Sequence, residues 1–233
     1  MQASQILTDV RRELLETSPI FWSDAELLRH LNRGELDFVN KTRILEDTAQ
    51  LSLVEGRLDY PLPQNWLSAR AVFHKILNAD NTFSWKRIYP SNLEKMAQQR
   101  PNFLNVEGPN KGRPVRYWIW GKELWLDRAP DTTYATTLYL FYKSTPIPIV
   151  NTNQSISIHD SLSEALNAYI LWKAWKKEKE TDLAEEQRQI YTQYVSEGRK
   201  WVKKQSGDQR NRIDIDSPIA MESAPSMFDP LAG

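Results

Sequence analysis

The apolar period of this chain changes twice, and that double change restricts the fold more than any other feature. Ile6, Leu7, Val10 and Leu14 recur at the three-to-four-residue spacing of a helix face, and Leu27, Leu28, Leu31 and Phe38 repeat it. From about residue 48 to residue 143 the pattern becomes strand-like, as where Leu51 and Leu53 alternate with polar neighbours. Helical spacing returns with Leu162, Leu166, Tyr169 and Trp172, and again with Ile190, Tyr191, Tyr194, Val195, Trp201 and Val202. Periods of 3.6 and 2 cannot serve one element. The order is therefore helix, helix, strands, helix, helix.

Punctuation sharpens the boundaries. The first helix spans about residues 4–17, with Pro19 as its stop. Ser23 and Glu26 form a capping-box pair for the second, with Trp22 and Leu27 at the staple positions, and this helix runs to about Arg43. Strands are expected near residues 69–76, 83–88 and 134–142, a short helix over 92–99 and a loop over 101–114. Gly121-Lys122 sits between residues 115–120 and 123–127 and suits a two-residue type II′ hairpin. That register opposes Ile119 to Leu124, Tyr117 to Leu126 and Trp118 to Trp125. Ser161 and Glu164 match a second capping box, and a further helix starts near Thr181 or Asp182. The break between the last two helices is short, so they should pair antiparallel.

The expected fold class is α+β. Residues 1–47 and 154–206 form a four-helix bundle, and residues 48–153 an inserted antiparallel β-rich module, barrel- or sandwich-like. Residues 207–233 form an extended C-terminal arm. Pro218, Pro225 and Pro230 interrupt that arm, yet it carries Ile213, Ile215, Ile219, Met221, Met227, Phe228 and Leu231. Burying a large apolar side chain returns about 1.5–3 kcal/mol. Fixing each backbone residue costs about 1–2 kcal/mol. With apolar side chains so sparse, the arm cannot order itself and needs a surface to lie on. Ile213, Ile215, Met227 and Phe228 are the preferred anchors.

Composition excludes several function classes. Thirty basic residues balance thirty acidic ones, which is not the footprint of a dedicated nucleic-acid binder. No cysteine is present, so disulfides and thiolate metal sites are excluded. Residues 1–16 are polar and amphipathic without a signal-peptide core, and no run is long and apolar enough to span a membrane. With eight glycines there is neither a Rossmann nor a Walker pattern, and no zincin or nucleophile-elbow motif occurs. His30, His74 and His159 are isolated, and His159 stands where a helix cap belongs. Glu107, Glu123 and Asp127 could pair as glycosidase carboxylates, but among thirty acids such a choice says little. No enzyme activity, metal or cofactor is expected. Two basic clusters remain: Lys173, Lys176, Lys177 and Lys179, and Arg199, Lys200, Lys203 and Lys204. Each lies at a helix C-terminus, where cations favour the macrodipole, and each could instead face an acidic partner or passing DNA.

Several phrases bear on function. They are Tyr60-Pro61-Leu62-Pro63 before a strand, residues 117–120, and Leu124-Trp125-Leu126-Asp127-Arg128-Ala129-Pro130-Asp131. Leu138-Tyr139-Leu140-Phe141-Tyr142-Lys143 follows, then Ile158-His159-Asp160 ahead of Leu162 and Glu164-Ala165-Leu166. In this order the chain resembles tailed-bacteriophage head-to-tail adaptor proteins over roughly residues 4–205. The resemblance implies a structural virion protein of the neck, made in the host cytoplasm. It implies a ring, usually twelvefold, beneath the portal. Such a ring extends the DNA channel, so that double-stranded DNA is met only in passage, and offers a platform for the next tail component. It also implies a C-terminal segment that grips the portal, with no membrane contact. Two other classes stay open. Trp118, Trp120 and Trp125 would suit a carbohydrate-binding module or glycan hydrolase if they lined an open groove. Another virion ring protein, a stopper or tail terminator, differs from an adaptor only in its neighbours.

Overall fold

A computed structural model describes residues 1–16, 21–78, 80–100 and 102–205. The fold is α+β, with five α-helices and one curled sheet of seven strands among the described residues.

Helix α1, Ala3–Glu13, buries Ile6, Leu7 and Val10. It stops earlier than the pattern predicts, because Leu15 turns left-handed at φ 56° and the chain leaves the helical path. Pro19 lies outside the described residues. Helix α2, Asp24–Thr42, starts where expected, with half of the predicted capping box: Ser23 Oγ accepts from the Glu26 N–H at 3.2 Å, while the Glu26 carboxylate accepts from Lys177 instead, and Trp22 and Leu27 are buried beside it. It ends at Arg43 in the left-handed region.

The strands are β1 Glu46–Ser52, β2 Asp59–Pro61, β3 Trp66–Leu77, β4 Phe83–Pro90, β5 Arg116–Trp120, β6 Glu123–Leu126 and β7 Thr137–Ser144. Their order across the sheet is β1-β7-β3-β4-β5-β6-β2. The β5–β6 hairpin has the predicted register, Tyr117 opposite Leu126, Trp118 opposite Trp125 and Ile119 opposite Leu124. Gly121 takes φ +61°, as the first central position of a II′ turn requires. The expectation of a wholly antiparallel module is corrected at one seam: β4 and β5 run parallel. The reason is topological, because α3, Leu93–Gln99, and the loop after it return the chain to the same end of the sheet. Two register shifts in β3, at Trp66/Ser68 and Ala69/Ala71, supply the bend that lets the sheet curl. The curl brings its two ends together: the Tyr60 hydroxyl of β2 accepts from the Val54 N–H, just past β1, at 3.0 Å. Val72, Ile88, Tyr117, Leu124, Leu126, Leu138 and Leu140 fill the inside.

The closing helices are α4, Ser163–Glu178, and α5, Thr181–Gln205. The Ser161–Glu164 capping box does not form. Instead a 3-10 turn at Asp160–Leu162 precedes α4, and His159 Nδ1 accepts from the Ser161 N–H at 3.2 Å. Helix α4 is apolar nearly all round, with Ala165, Leu166, Ala168, Tyr169, Ile170, Leu171 and Ala174 buried. An all-apolar helix belongs in the middle of a core, and α1, α2 and α5 all pack on it. Residues of these four helices share one apolar cluster, separate from the cluster inside the sheet. The predicted stripe of α5 holds for Tyr191 and Val195, which are buried, and for Ile190, Tyr194 and Val202, which are half-buried against the same core, whereas Trp201 is exposed.

Candidate functional site

The aromatic residues separate into two populations. Inside, Trp118 is buried, stacks on Trp125 at a centroid distance of 6.1 Å, and meets the edge of Phe103 at 5.4 Å. Together with Met96 they make a small core under α3. Only Trp120 of the three candidate tryptophans is well exposed, at 62%. Trp118 and Trp125 use their stacking faces on each other and on Phe103, which leaves Trp120 alone exposed and, among the described residues, no groove lined by all three.

The second population covers the outer face of the sheet, and the sequence reading missed it. Phe73 of β3 meets Phe141 of β7 edge to face at 5.9 Å, and Trp85 of β4 meets Tyr139 of β7 at 4.6 Å. Lys75 lies over the Phe83 ring at 3.9 Å, and Arg87 beside Tyr89 at 5.7 Å. Phe83, Trp85, Tyr89 and Phe141 are all exposed. The signal was present in the alternation. In β7, Leu138, Leu140 and Tyr142 point inward, so Tyr139 and Phe141 between them must point out. An aromatic face with cations among its rings, spread over three neighbouring strands, is a surface suited to a partner.

The histidines and acids serve structure. Burial lowers the pKa of His74, whose Nε2 lies 3.1 Å from the Tyr134 carbonyl oxygen and 3.0 Å from Thr136 Oγ1. Burial likewise lowers that of His30, which packs edge-on against Trp22. Asp127 is buried and accepts from the Val115 and Arg116 N–H groups at 2.8 and 2.9 Å. Glu107 and Glu123 are exposed. Among the described residues no cluster of His, Asp or Glu could hold a metal ion, and no helix is long and apolar enough to cross a membrane.

The two basic clusters do not meet. Helices α4 and α5 are antiparallel, so their C-terminal ends lie about a helix length apart, some ~37 Å for 25 residues. Lys177 pairs with Glu26 at 2.8 Å and sits over the Trp22 ring at 4.2 Å. Lys173 sits over the Trp172 ring at 3.5 Å, and burial lowers its pKa. Arg199 Nε donates to the Lys41 carbonyl at 2.9 Å, closing the end of α2. Lys176, Lys200 and Lys204 point into solvent. The arm residues Ile213, Ile215, Met227 and Phe228 lie outside the described residues.

One groove is more apolar than its surroundings. It lies between the outer side of α2 and the linker Pro146-Ile147-Pro148, with a volume of about 380 Å³. Leu28 and Leu36 line it, with Arg29 and Arg33 among its walls. Glu35 is fully buried beside it: one carboxylate oxygen, Oε1, accepts from the Ser157 and Ile158 N–H groups, while Oε2 has no partner. Burial pushes its pKa up, and those two N–H groups, with the Ser157 hydroxyl, pull it part of the way back.

A sequence profile for the SU10 adaptor protein family matches residues 1–218. The chain belongs to that family. SU10 adaptors are phage head-to-tail adaptor proteins. The family match takes in both apolar cores and continues past α5 through Ile213 and Ile215, stopping short of Met227 and Phe228. No curated protein matches the chain.

Proposed function

We propose that this SU10 adaptor is a structural protein of the phage neck that forms a ring beneath the portal, extends the DNA channel and carries the next tail component. The observation that carries this reading is the family match over residues 1–218 together with the unpartnered aromatic face of the sheet. Residues 1–47 and 154–206 would form the ring body as a four-helix bundle, with residues 48–153 as the projecting module. The face around Phe73, Trp85, Tyr139 and Phe141 would meet a neighbouring copy or the next tail protein. Residues 207–233 would leave α5 and grip the portal through Ile213, Ile215, Met227 and Phe228. Lys176, Lys200 and Lys204 would meet an acidic partner or DNA in passage. Twelve copies would match the symmetry that the resemblance implies, and the protein would reside in the virion.

DNA-filled heads made without this protein should fail to join tails, and adding the purified full-length chain should restore joining. A chain ending at residue 206 should stay folded and fail to restore it. Normal joining by that truncation would overturn the role given to the arm. Joining to tails by heads that lack the protein altogether would overturn the adaptor reading.

A further inference from the structure

The groove beside α2 matches a segment of the same chain. Its walls are apolar, Leu36 is 43% and Ile147 70% exposed, and Arg29 and Arg33 make no hydrogen bond or salt bridge among the described residues. The complement is an apolar strand with acids on one side. From Ile213 onward the sequence has no base and four acids, and it opens Ile213-Asp214-Ile215-Asp216-Ser217. In an extended strand Asp214 and Asp216 share one side about 6.6 Å apart, with Ile213 and Ile215 on the other. Arg33 and Arg29 are one helical turn apart, about 6 Å, so the two spacings agree.

Chain length permits the match. Gly198 of α5 packs on Thr42 and Phe38 near the end of α2, and α5 then runs seven residues further to Gln205, about 10 Å. Leu36 lies about 9 Å back along α2 from Thr42. Eight residues from Gln205 to Ile213 span up to about 26 Å, enough to return to it.

We propose that, in the free protein, residues 213–219 lie in the α2 groove of their own chain. Ile213 and Ile215 face the apolar wall, Asp214 meets Arg33, and Asp216 meets Arg29. The arm is thereby stowed until something else takes it. This inference goes beyond the neck assignment and holds or fails without a portal present.

The chain has no cysteine, which makes the test direct. In the full-length protein, Ala25→Cys in the groove wall is combined with Ser217→Cys, and in a second protein Glu186→Cys replaces Ala25→Cys. Glu186 is exposed on α5 and lies no farther from Gln205 along the helices than Ala25 does. Under mild oxidation the Ala25/Ser217 pair should form an intramolecular disulfide about 10-fold faster than the control, the advantage of a raised effective concentration. Adding Arg29→Glu and Arg33→Glu should erase that advantage. Equal rates for the two pairs would overturn the proposal, as would disulfide-linked dimers in place of the intramolecular product, because a second copy would then fill the groove.

Discussion

The helical core and the curled sheet differ in what they leave outside: both bury aromatic residues, but the sheet also carries a cluster of rings on its outer face. The helical core takes its residues from both ends of the chain and turns its large rings inward: Trp22, Phe38, Tyr169 and Tyr191 are all buried. Polar ties of long sequence separation close it. Trp22 Nε1 donates to Glu178 at 2.8 Å, the Tyr191 hydroxyl to Asp37 at 2.6 Å, and Asn32 exchanges two hydrogen bonds with Ile149, both at 2.8 Å. The sheet is built from one continuous stretch and leaves Phe83, Trp85, Tyr89 and Phe141 on its surface. The same residue type thus fills a core in both regions and, on the sheet, is also left exposed.

The sharpest way to break that comparison is to truncate one ring on each side. Trp22→Ala should cost about 3–5 kcal/mol in urea unfolding, through the lost packing of a fully buried indole and the broken tie to Glu178. A cost below 1 kcal/mol would contradict the view that the helical core depends on these inward rings. Overpacking comes next. A Cβ on Gly34 would sit 2.8 Å from Tyr169 Cδ1, so Gly34→Leu should cost about 1–3 kcal/mol as α2 and α4 are pushed apart.

Glu35 tests the polar ties. Glu35→Ala leaves the Ser157 and Ile158 N–H groups without an acceptor and should cost about 1–3 kcal/mol. Glu35→Gln probes the sign of its shifted pKa. Burial raises that pKa in the folded state, so the stability linked to the bound proton is complete below the ordinary carboxylate range and is lost as pH rises through the folded value. Gln does not titrate. Relative stability should therefore move in favour of Glu35→Gln as pH rises from about 4 to 7, the range in which such carboxyls titrate. Parallel pH profiles for the two proteins would refute the shift. The smallest effect on stability belongs to the outer face. Trp85→Ala with Phe141→Ala should cost about 1 kcal/mol, since each removes one ring pair on a solvated face. The same double variant should lose attachment to its partner in a head-joining assay, and unimpaired joining would remove that face from the assembly.

Much of the fold was legible because period and punctuation agree within it. The hairpin register followed from Gly121-Lys122 alone, and the start of α2 from Ser23 and Glu26. The parallel seam between β4 and β5 was not legible, because nothing local in residues 101–114 says to which strand the chain returns. The capping box at Ser161 misled, but the cap position assigned to His159 was legible and its ring does cap the turn before α4. The outer aromatic face was encoded in the alternation of β7, but Tyr139 and Phe141 read as core until the inward phase of Leu138 and Leu140 is known. The role of Glu35 had no signal at all, since its partners Ser157 and Ile158 lie more than a hundred residues away.

The central claim is that this chain builds a ring on a portal. Native mass measurement of the purified protein, alone and mixed with portal rings, tests it most directly. The protein alone should run as a monomer, and the mixture should give a single complex in which adaptor copies match the portal's symmetry. A portal that takes up no adaptor, or an adaptor that binds only tail components, would contradict it.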